Sequence, residues 1–248
     1  MKEKISISIS GLSVSYDRKR VLSNIYAQIP SGAVVGVIGP NGAGKSTLFK
    51  AILGLIELNA GLVKIYDEPV EKNIHHVAYV PQRDDVDWQF PATVMDIVLM
   101  GRYPHKKWYQ RLDRSDINLA REALKALDIM DLEQRQIGEL SGGQQQRVFI
   151  ARALCQGADI FLLDEPFVGV DITTEQKIIS ILKKLAAEDK TMLVVHHDLS
   201  TVEDYFDHVF MLNQRLVASG PTSSTFTKEN IAAAYGPQLT ILHKTGVL

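Results

Sequence analysis

From Ile5 to Ile9 three isoleucines alternate with serines, a period of two that predicts a strand with one buried face. Further strand candidates are AVVGVIG (33–39), LVKIY (62–66), HVAYV (76–80), IFLLD (160–164), TMLVVHH (191–197) and HVFMLN (208–213). In VVGVI, IFLLD and MLVVH the apolar run is unbroken, as expected of parallel strands covered by helices on both faces. Helical spacing takes over in two stretches. From Glu175 to Glu188, Ile178, Ile181, Leu182 and Leu185 share one face, opposite Lys177, Lys183 and Lys184. From Ser115 to Leu127, Leu119, Ala120, Ala123, Leu124 and Leu127 are expected to point inward.

Between about Trp88 and Gln156 strand signals stop and helical ones dominate, which predicts a helical insertion in a strand-rich core. From Pro221 onward small and polar residues prevail, and loose packing is expected there. No internal repeat or low-complexity run interrupts the pattern.

Composition narrows the classes. With 46% hydrophobic and 23% charged residues in 248, the chain can bury a sizeable core. A formal net charge of −2 gives no general electrostatic case for nucleic acid. The single cysteine, Cys155, has no partner for an internal disulfide and reads as a small buried hydrophobe in ARALC. MKEKISISIS lacks the apolar centre of a signal peptide, and no apolar run approaches the ~20 residues of a spanning helix. Docking onto membrane subunits stays open. The pairs His75-His76 and His196-His197 fall in expected strands, where neighbours face opposite sides, so neither reads as a metal site.

Two segments look built to take anions. VVGVIGPNGAGKSTLFKAIL sets G-x-x-x-x-G-K-S between a buried strand and a helix. Glycines let backbone N–H groups turn around phosphate oxygens, and the helix start adds partial positive charge. The cradle residues are Gly39, Pro40, Asn41, Gly42, Ala43, Gly44, Lys45, Ser46 and Thr47; Lys45 is expected on the β- and γ-phosphates and Ser46 on Mg²⁺. IFLLDEP ends a strand in two carboxylates: Asp164 to hold Mg²⁺ through water, Glu165 to orient or deprotonate the attacking water. About a hundred residues after the first loop, LSGGQQQR opens a second helix with Ser-Gly-Gly.

GPNGAGKST, LSGGQQQR and IFLLDEP, in that order, resemble the ATP-binding cassette (ABC) nucleotide-binding subunits over roughly residues 5–220. The resemblance implies an α/β fold: an ABC-type P-loop NTPase core with an antiparallel β subdomain and a helical subdomain. As a single domain over 1–248, the core would take 1–87 and 156–220, the helical subdomain 88–155, and an appendage 221–248. It also implies a head-to-tail pair of copies, each ATP lying between one P-loop and the other's signature loop. Ser141, Gly142, Gly143 and Gln144 would then meet the partner's γ-phosphate. Tyr16 matches the aromatic that stacks on adenine, and Gln82 the glutamine that contacts Mg²⁺ and the attacking water. Asp171 fits the loop crossing the dimer interface, and His197, rather than His196, the switch histidine on the γ-phosphate. PFVGVD departs from the commoner PTSGLD and points to a subgroup.

VPQRDDVDWQFPATVMDIVLMGRY together with EPFVGVD resembles cassettes of the bacterial manganese/zinc import group. A weaker likeness to siderophore and cobalamin importers runs through VMDIVLMGRYPH. The partners so implied are two transmembrane permease subunits on the cytoplasmic side of the membrane and, indirectly, an extracytoplasmic metal-binding protein. The segment after Gln82, with Trp88, Phe90 and Pro91, is expected to meet the permease or to cap the helical subdomain. A soluble single-cassette ATPase acting as an assembly factor is the alternative; one cassette and no heptads argue against translation and DNA-maintenance types.

Overall fold

A computed structural model describes residues 4–17 and 19–236. In chain order they form β1 (Ile5–Tyr16), β2 (Lys19–Pro30), β3 (Val34–Ile38), α1 (Lys45–Ile52), β4 (Ala60–Ile65), β5 (Glu68–Pro69), α2 (Val70–Asn73), β6 (Val77–Val80) and α3 (Val94–Leu99). There follow α4 (Arg114–Ala126), α5 (Gly142–Gln156), β7 (Ile160–Leu163), α6 (Ile172–Ala187), β8 (Thr191–His196), α7 (Val202–Tyr205), β9 (His208–Asn213), β10 (Arg215–Pro221), α8 (Thr222–Thr225) and α9 (Lys228–Tyr235). Two compact units divide them: one from the described residues up to Ile74 and from Leu185 onward, the other from His75 to Lys184.

In the first unit β1 pairs antiparallel with β2 and β4, setting Ile7 opposite Ile29 and Ile65, and Ile9 opposite Ala27 and Val63. Ile7, Leu12, Val14, Leu22, Ile25, Ile29 and Ile65 make the dry face of this sheet. Strand β3 lies parallel to β8 on one side and β9 on the other, with Val37 opposite Val195 and Phe210. Every residue of β3 and β8 is buried, as the apolar runs Val34–Ile38 and Met192–Val195 require, and β8 buries Thr191 and His196 at its ends as well. Strands β2 and β10 carried no clear pattern. Register shifts in β1–β2, with Asn24 at φ 53°, break the alternation that would have announced the first.

The stretch from Pro221 corrects the expectation of loose packing as far as Gly236. Thr222, Thr225, Ile231, Ala234 and Tyr235 are buried, and Asn213 Nδ2 donates to the Ala234 carbonyl at 2.8 Å. The remainder of the expected appendage, 237–248, lies outside the described residues.

In the second unit β6 and β7 pair in parallel, Val77 opposite Ile160 and Val80 opposite Leu163. Helix α5 covers the carbonyls of β6: Arg152 Nη2 donates to Tyr79 O at 2.8 Å and Gln156 Nε2 to Val77 O at 2.8 Å. Helices α3, α4 and α5 each begin with a reciprocal capping box, Thr93 with Asp96, Asp113 with Asp116 and Ser141 with Gln144. Helix α4 buries Ala120, Ala123 and Leu124, but Leu119 is 40% exposed, against expectation. An apolar residue one position off the stripe is ordinary surface. His75 and His76 end a 3₁₀ turn rather than sit in a strand, with ring centroids 4.2 Å apart and His76 Nδ1 2.7 Å from Asp159 Oδ2. His197 directly follows β8. The described residues contain no cluster of three or more His, Cys, Asp or Glu suited to a metal, and no helix long and apolar enough to cross a membrane.

Candidate active site

The first unit carries the segment expected to cradle phosphates. Strand β3 ends at Ile38, and the chain turns through Gly39–Gly44 into α1. Ala43 N–H closes a turn on the Pro40 carbonyl at 3.1 Å, while Gly42 and Gly44 take φ of 77° and 97°. Both lie in the left-handed region that side chains resist. Gly44 caps α1 without a side chain, so the helix start presents bare N–H groups. Lys45 is buried, and its ammonium donates to the Gly39 and Pro40 carbonyls at 2.8 and 3.1 Å. Ser46 and Thr47 follow half-buried, and Asn41 is exposed.

The turn is braced from behind. Gln214 N–H donates to Ala43 O at 2.9 Å, and a Cβ on Gly39 would collide with the Leu212 carbonyl oxygen. The phenol of Tyr235 is buried near the Gly39 backbone without a hydrogen-bond partner among the described residues, and burial pushes its pKa up. Sequence reasoning missed this residue. A lone tyrosine after three alanines gives no hint of a contact nearly two hundred positions away.

Tyr16 and His197 belong to the same unit. Tyr16 ends β1 and is 44% exposed. His197 is exposed. Its neighbour His196 is buried among Tyr205 and Phe206, with Nε2 2.7 Å from Thr201 Oγ1. Burial drags the His196 pKa down to about 4, so it is neutral at physiological pH.

The second unit carries the carboxylates. Asp164 follows β7, and both its carboxylate oxygens are buried. Beside it Tyr79 has its phenol pKa pushed up, by burial first and by the Asp164 charge next. Glu165 is held at φ 54°, and its Oε2 accepts from Gln82 Nε2 at 2.9 Å. The structure thus brings together two of the expected catalytic residues. A non-glycine residue at positive φ marks a turn over-determined by its surroundings, here the turn that aims this carboxylate.

In the signature segment Gly142 and Gly143 form the first turn of α5. Ser141 Oγ accepts from Gln144 N–H at 3.4 Å, and Gln144 Oε1 accepts from Ser141 N–H at 2.9 Å. Asp171 is exposed and caps α6: Thr174 N–H donates to one carboxylate oxygen at 3.0 Å and Thr174 Oγ1 to the other at 2.7 Å. Those bonds lower its pKa.

This set of loops has a match among known proteins: residues 22–168 fit the ABC transporter family model. The chain belongs to the ABC transporter family. Among its relatives are the manganese transport system ATP-binding protein MntB of Bacillus subtilis, 49% identical over 95% of this chain and 94% of that one. The zinc transport system ATP-binding protein TroB of Treponema pallidum is 50% identical over 94% and 88% respectively. Among solved structures, an inward-facing metal-chelate type ABC transporter aligns at TM-score 0.83 and 29% identity, covering 94% of this chain and 89% of that one. A dimeric bacterial ABC transporter cassette aligns at TM-score 0.76 and 27% identity, covering 87% and 98%. The ABC cassette fold anticipated from the motifs is therefore established, and with it a chain that binds and hydrolyses ATP.

Proposed function

We propose that this cassette is the ATP-hydrolysing subunit of an importer of a divalent metal ion, manganese first and zinc second. The observation that carries the reading is its 49–50% identity, over nearly its whole length, to manganese and zinc transport ATP-binding proteins. The likeness to a metal-chelate type transporter points to a chelate instead, but at 29% identity it weighs less than the likeness to the manganese and zinc proteins.

On this reading Gly39–Thr47 wrap the phosphates, Lys45 leaves the Gly39 and Pro40 carbonyls for the β- and γ-phosphates, and Tyr16 stacks on adenine. Oxygen donors suit a hard divalent cation, so Ser46, Gln82 and buried Asp164 would hold Mg²⁺. Mg²⁺ supplies charge neutralisation on the phosphates. Glu165, oriented by Gln82, takes the proton of the attacking water, and His197 hydrogen-bonds the γ-phosphate. Ser141, Gly142, Gly143 and Gln144 serve the ATP of a second copy packed head to tail, and Asp171 lies at that interface. A dimeric cassette among its structural neighbours supports this arrangement.

The exposed surface of the helical unit suits a membrane subunit. Trp108 is 96% exposed, beside exposed Tyr103 and Tyr109. The loop bearing them is pinned at its base: Arg102 Nε lies 3.0 Å from Asp116 Oδ1, and Lys106 pairs with Asp113 and Asp116. Phe90 is exposed too, whereas Trp88 turns its ring edge onto Phe149 at 5.3 Å. Fixed aromatics held in solvent fit the peripheral, cytoplasmic-face docking expected of such a subunit on two permease chains.

A deletion strain grown under manganese, zinc or iron limitation tests the reading. Loss of ⁵⁴Mn or ⁶⁵Zn uptake, restored by the wild-type gene and not by the Lys45→Ala variant, is expected. Normal uptake of both metals, or rescue by Lys45→Ala, overturns it.

A further inference from the structure

Helix α5 is tied to β6 at its C-terminal half by Arg152 and Gln156, but its first turn, which carries the signature glycines, has a separate anchor. The residue after Gln82 supplies it. A Cβ on Gly142 would lie 2.9 Å from Arg83 Nη1 and 3.2 Å from the Gly169 carbonyl oxygen, and one on Gly169 would lie 3.2 Å from the same Arg83 nitrogen. The guanidinium therefore lies against both glycines, in space their missing side chains leave open. Its own backbone is gripped in turn: Trp88 Nε1 donates to the Arg83 carbonyl at 2.9 Å. The Arg83 guanidinium also lies 6.0 Å from the Trp88 ring centroid. That ring packs edge-on against Phe149, two turns along α5 from Gly142. A Cβ on Gly138, just before the signature, would come within 2.7 Å of the Trp88 carbonyl oxygen.

Stability alone does not explain this arrangement. A cation at the positive end of a helix is disfavoured by the aligned peptide dipoles. The side chain is held there by geometry, at the meeting of three loops: the Gln82 loop, the signature turn and the Gly169 turn that precedes Asp171.

We infer that Arg83 is a positioning residue for ATP hydrolysis: its guanidinium sets the signature turn at Gly142 and the Gly169 turn in fixed spacing from the Gln82–Glu165 pair. The inference rests on the ATPase reading and on the head-to-tail pairing of two copies. The signature turn then meets a phosphate only when the copies close. Displacing it leaves nucleotide binding at a copy's own P-loop intact and slows the step after closure.

The experiment compares full-length wild type, Arg83→Met and Arg83→Lys. Arg83→Met keeps the aliphatic stem but removes the planar fork. Expected for Arg83→Met are a kcat at least tenfold lower and affinity for a fluorescent ATP analogue within twofold of wild type. Arg83→Lys should fall between the two, because it restores charge without the fork. Introduced into the Glu165→Gln background, Arg83→Met should weaken ATP-dependent dimerisation at least fivefold by analytical ultracentrifugation. Wild-type circular dichroism and analogue binding verify the fold. A kcat within twofold of wild type for Arg83→Met overturns the inference, as does an equal loss of analogue binding and turnover. A wild-type chain that hydrolyses no ATP counts against the ATPase reading; a normal Arg83→Met in a working wild type counts against Arg83 alone.

Discussion

Gln82 donates its side-chain amide to the Glu165 carboxylate at 2.9 Å, across 83 positions of sequence, from a loop after β6 to a left-handed turn after β7. The amide orients a carboxylate that no covalent neighbour could aim. Glu165→Gln keeps the shape and removes the base. Its ATPase rate should fall at least a hundredfold with nucleotide affinity within threefold. Gln82→Ala removes one hydrogen bond to the carboxylate but keeps the carboxylate itself, so a five- to fiftyfold loss is expected. Turnover by Glu165→Gln near the wild-type rate would remove that residue from the chemistry.

The glycines of the phosphate cradle are not equivalent. At Gly39 an added methyl group meets the Leu212 carbonyl, a backbone atom that cannot step aside. At Gly42 it meets nothing within 4 Å, and only the φ of 77° resists it. Gly39→Ala should lower stability by roughly 2–3 kcal/mol through steric overpacking. Gly42→Ala should cost about 1 kcal/mol of backbone strain. Urea unfolding of the two variants gives the comparison; a larger loss at position 42 would contradict the packing described.

Tyr235 supports the same turn from the far end of the chain. Tyr235→Phe removes only a buried hydroxyl that has no hydrogen-bond partner among the described residues, so ATP affinity should stay within twofold and the melting temperature should hold or rise slightly. Tyr235→Ala also empties a buried space and should melt several degrees lower. A tenfold loss of ATP affinity in Tyr235→Phe would show that the hydroxyl does bond to the loop.

His196 gives the fold an acid limit. Its pKa is about 4 in the folded chain, below the ordinary 6.5, because burial opposes the charged ring. Below pH 6.5 the unfolded chain takes up this proton and the folded chain does not. The contribution is complete above 6.5, shrinks as pH falls, and is gone near pH 4, up to about 3 kcal/mol in all. His196→Gln should flatten the stability profile across that window. An unchanged slope would place the acid sensitivity elsewhere.

The motifs and the central strands were legible because each is local. Gly39–Thr47, Leu140–Arg147 and Ile160–Pro166 announce themselves within ten residues, and β3, β7 and the Met192–Val195 stretch of β8 carry no polar side chain. Long-range partners were not. Arg83 belongs to none of these motifs, and its place beside Gly142 and Gly169 depends on chain returns of about sixty and ninety residues. The packed stretch after Pro221 was misread because Thr222 and Thr225 are polar; both are buried, and Thr222 donates its hydroxyl to the Phe206 carbonyl at 2.7 Å. The histidine pair at 75–76 was misread because a strand signal was extended one turn too early.

Ser141 and Gln144 already satisfy one another when the chain stands alone. The serine oxygen only accepts in that clasp, so its hydroxyl proton is not spent there. On the proposed pairing of copies, the signature turn would therefore meet a phosphate with its shape already set and a donor in hand. Little ordering would be left for the twin's triphosphate to impose.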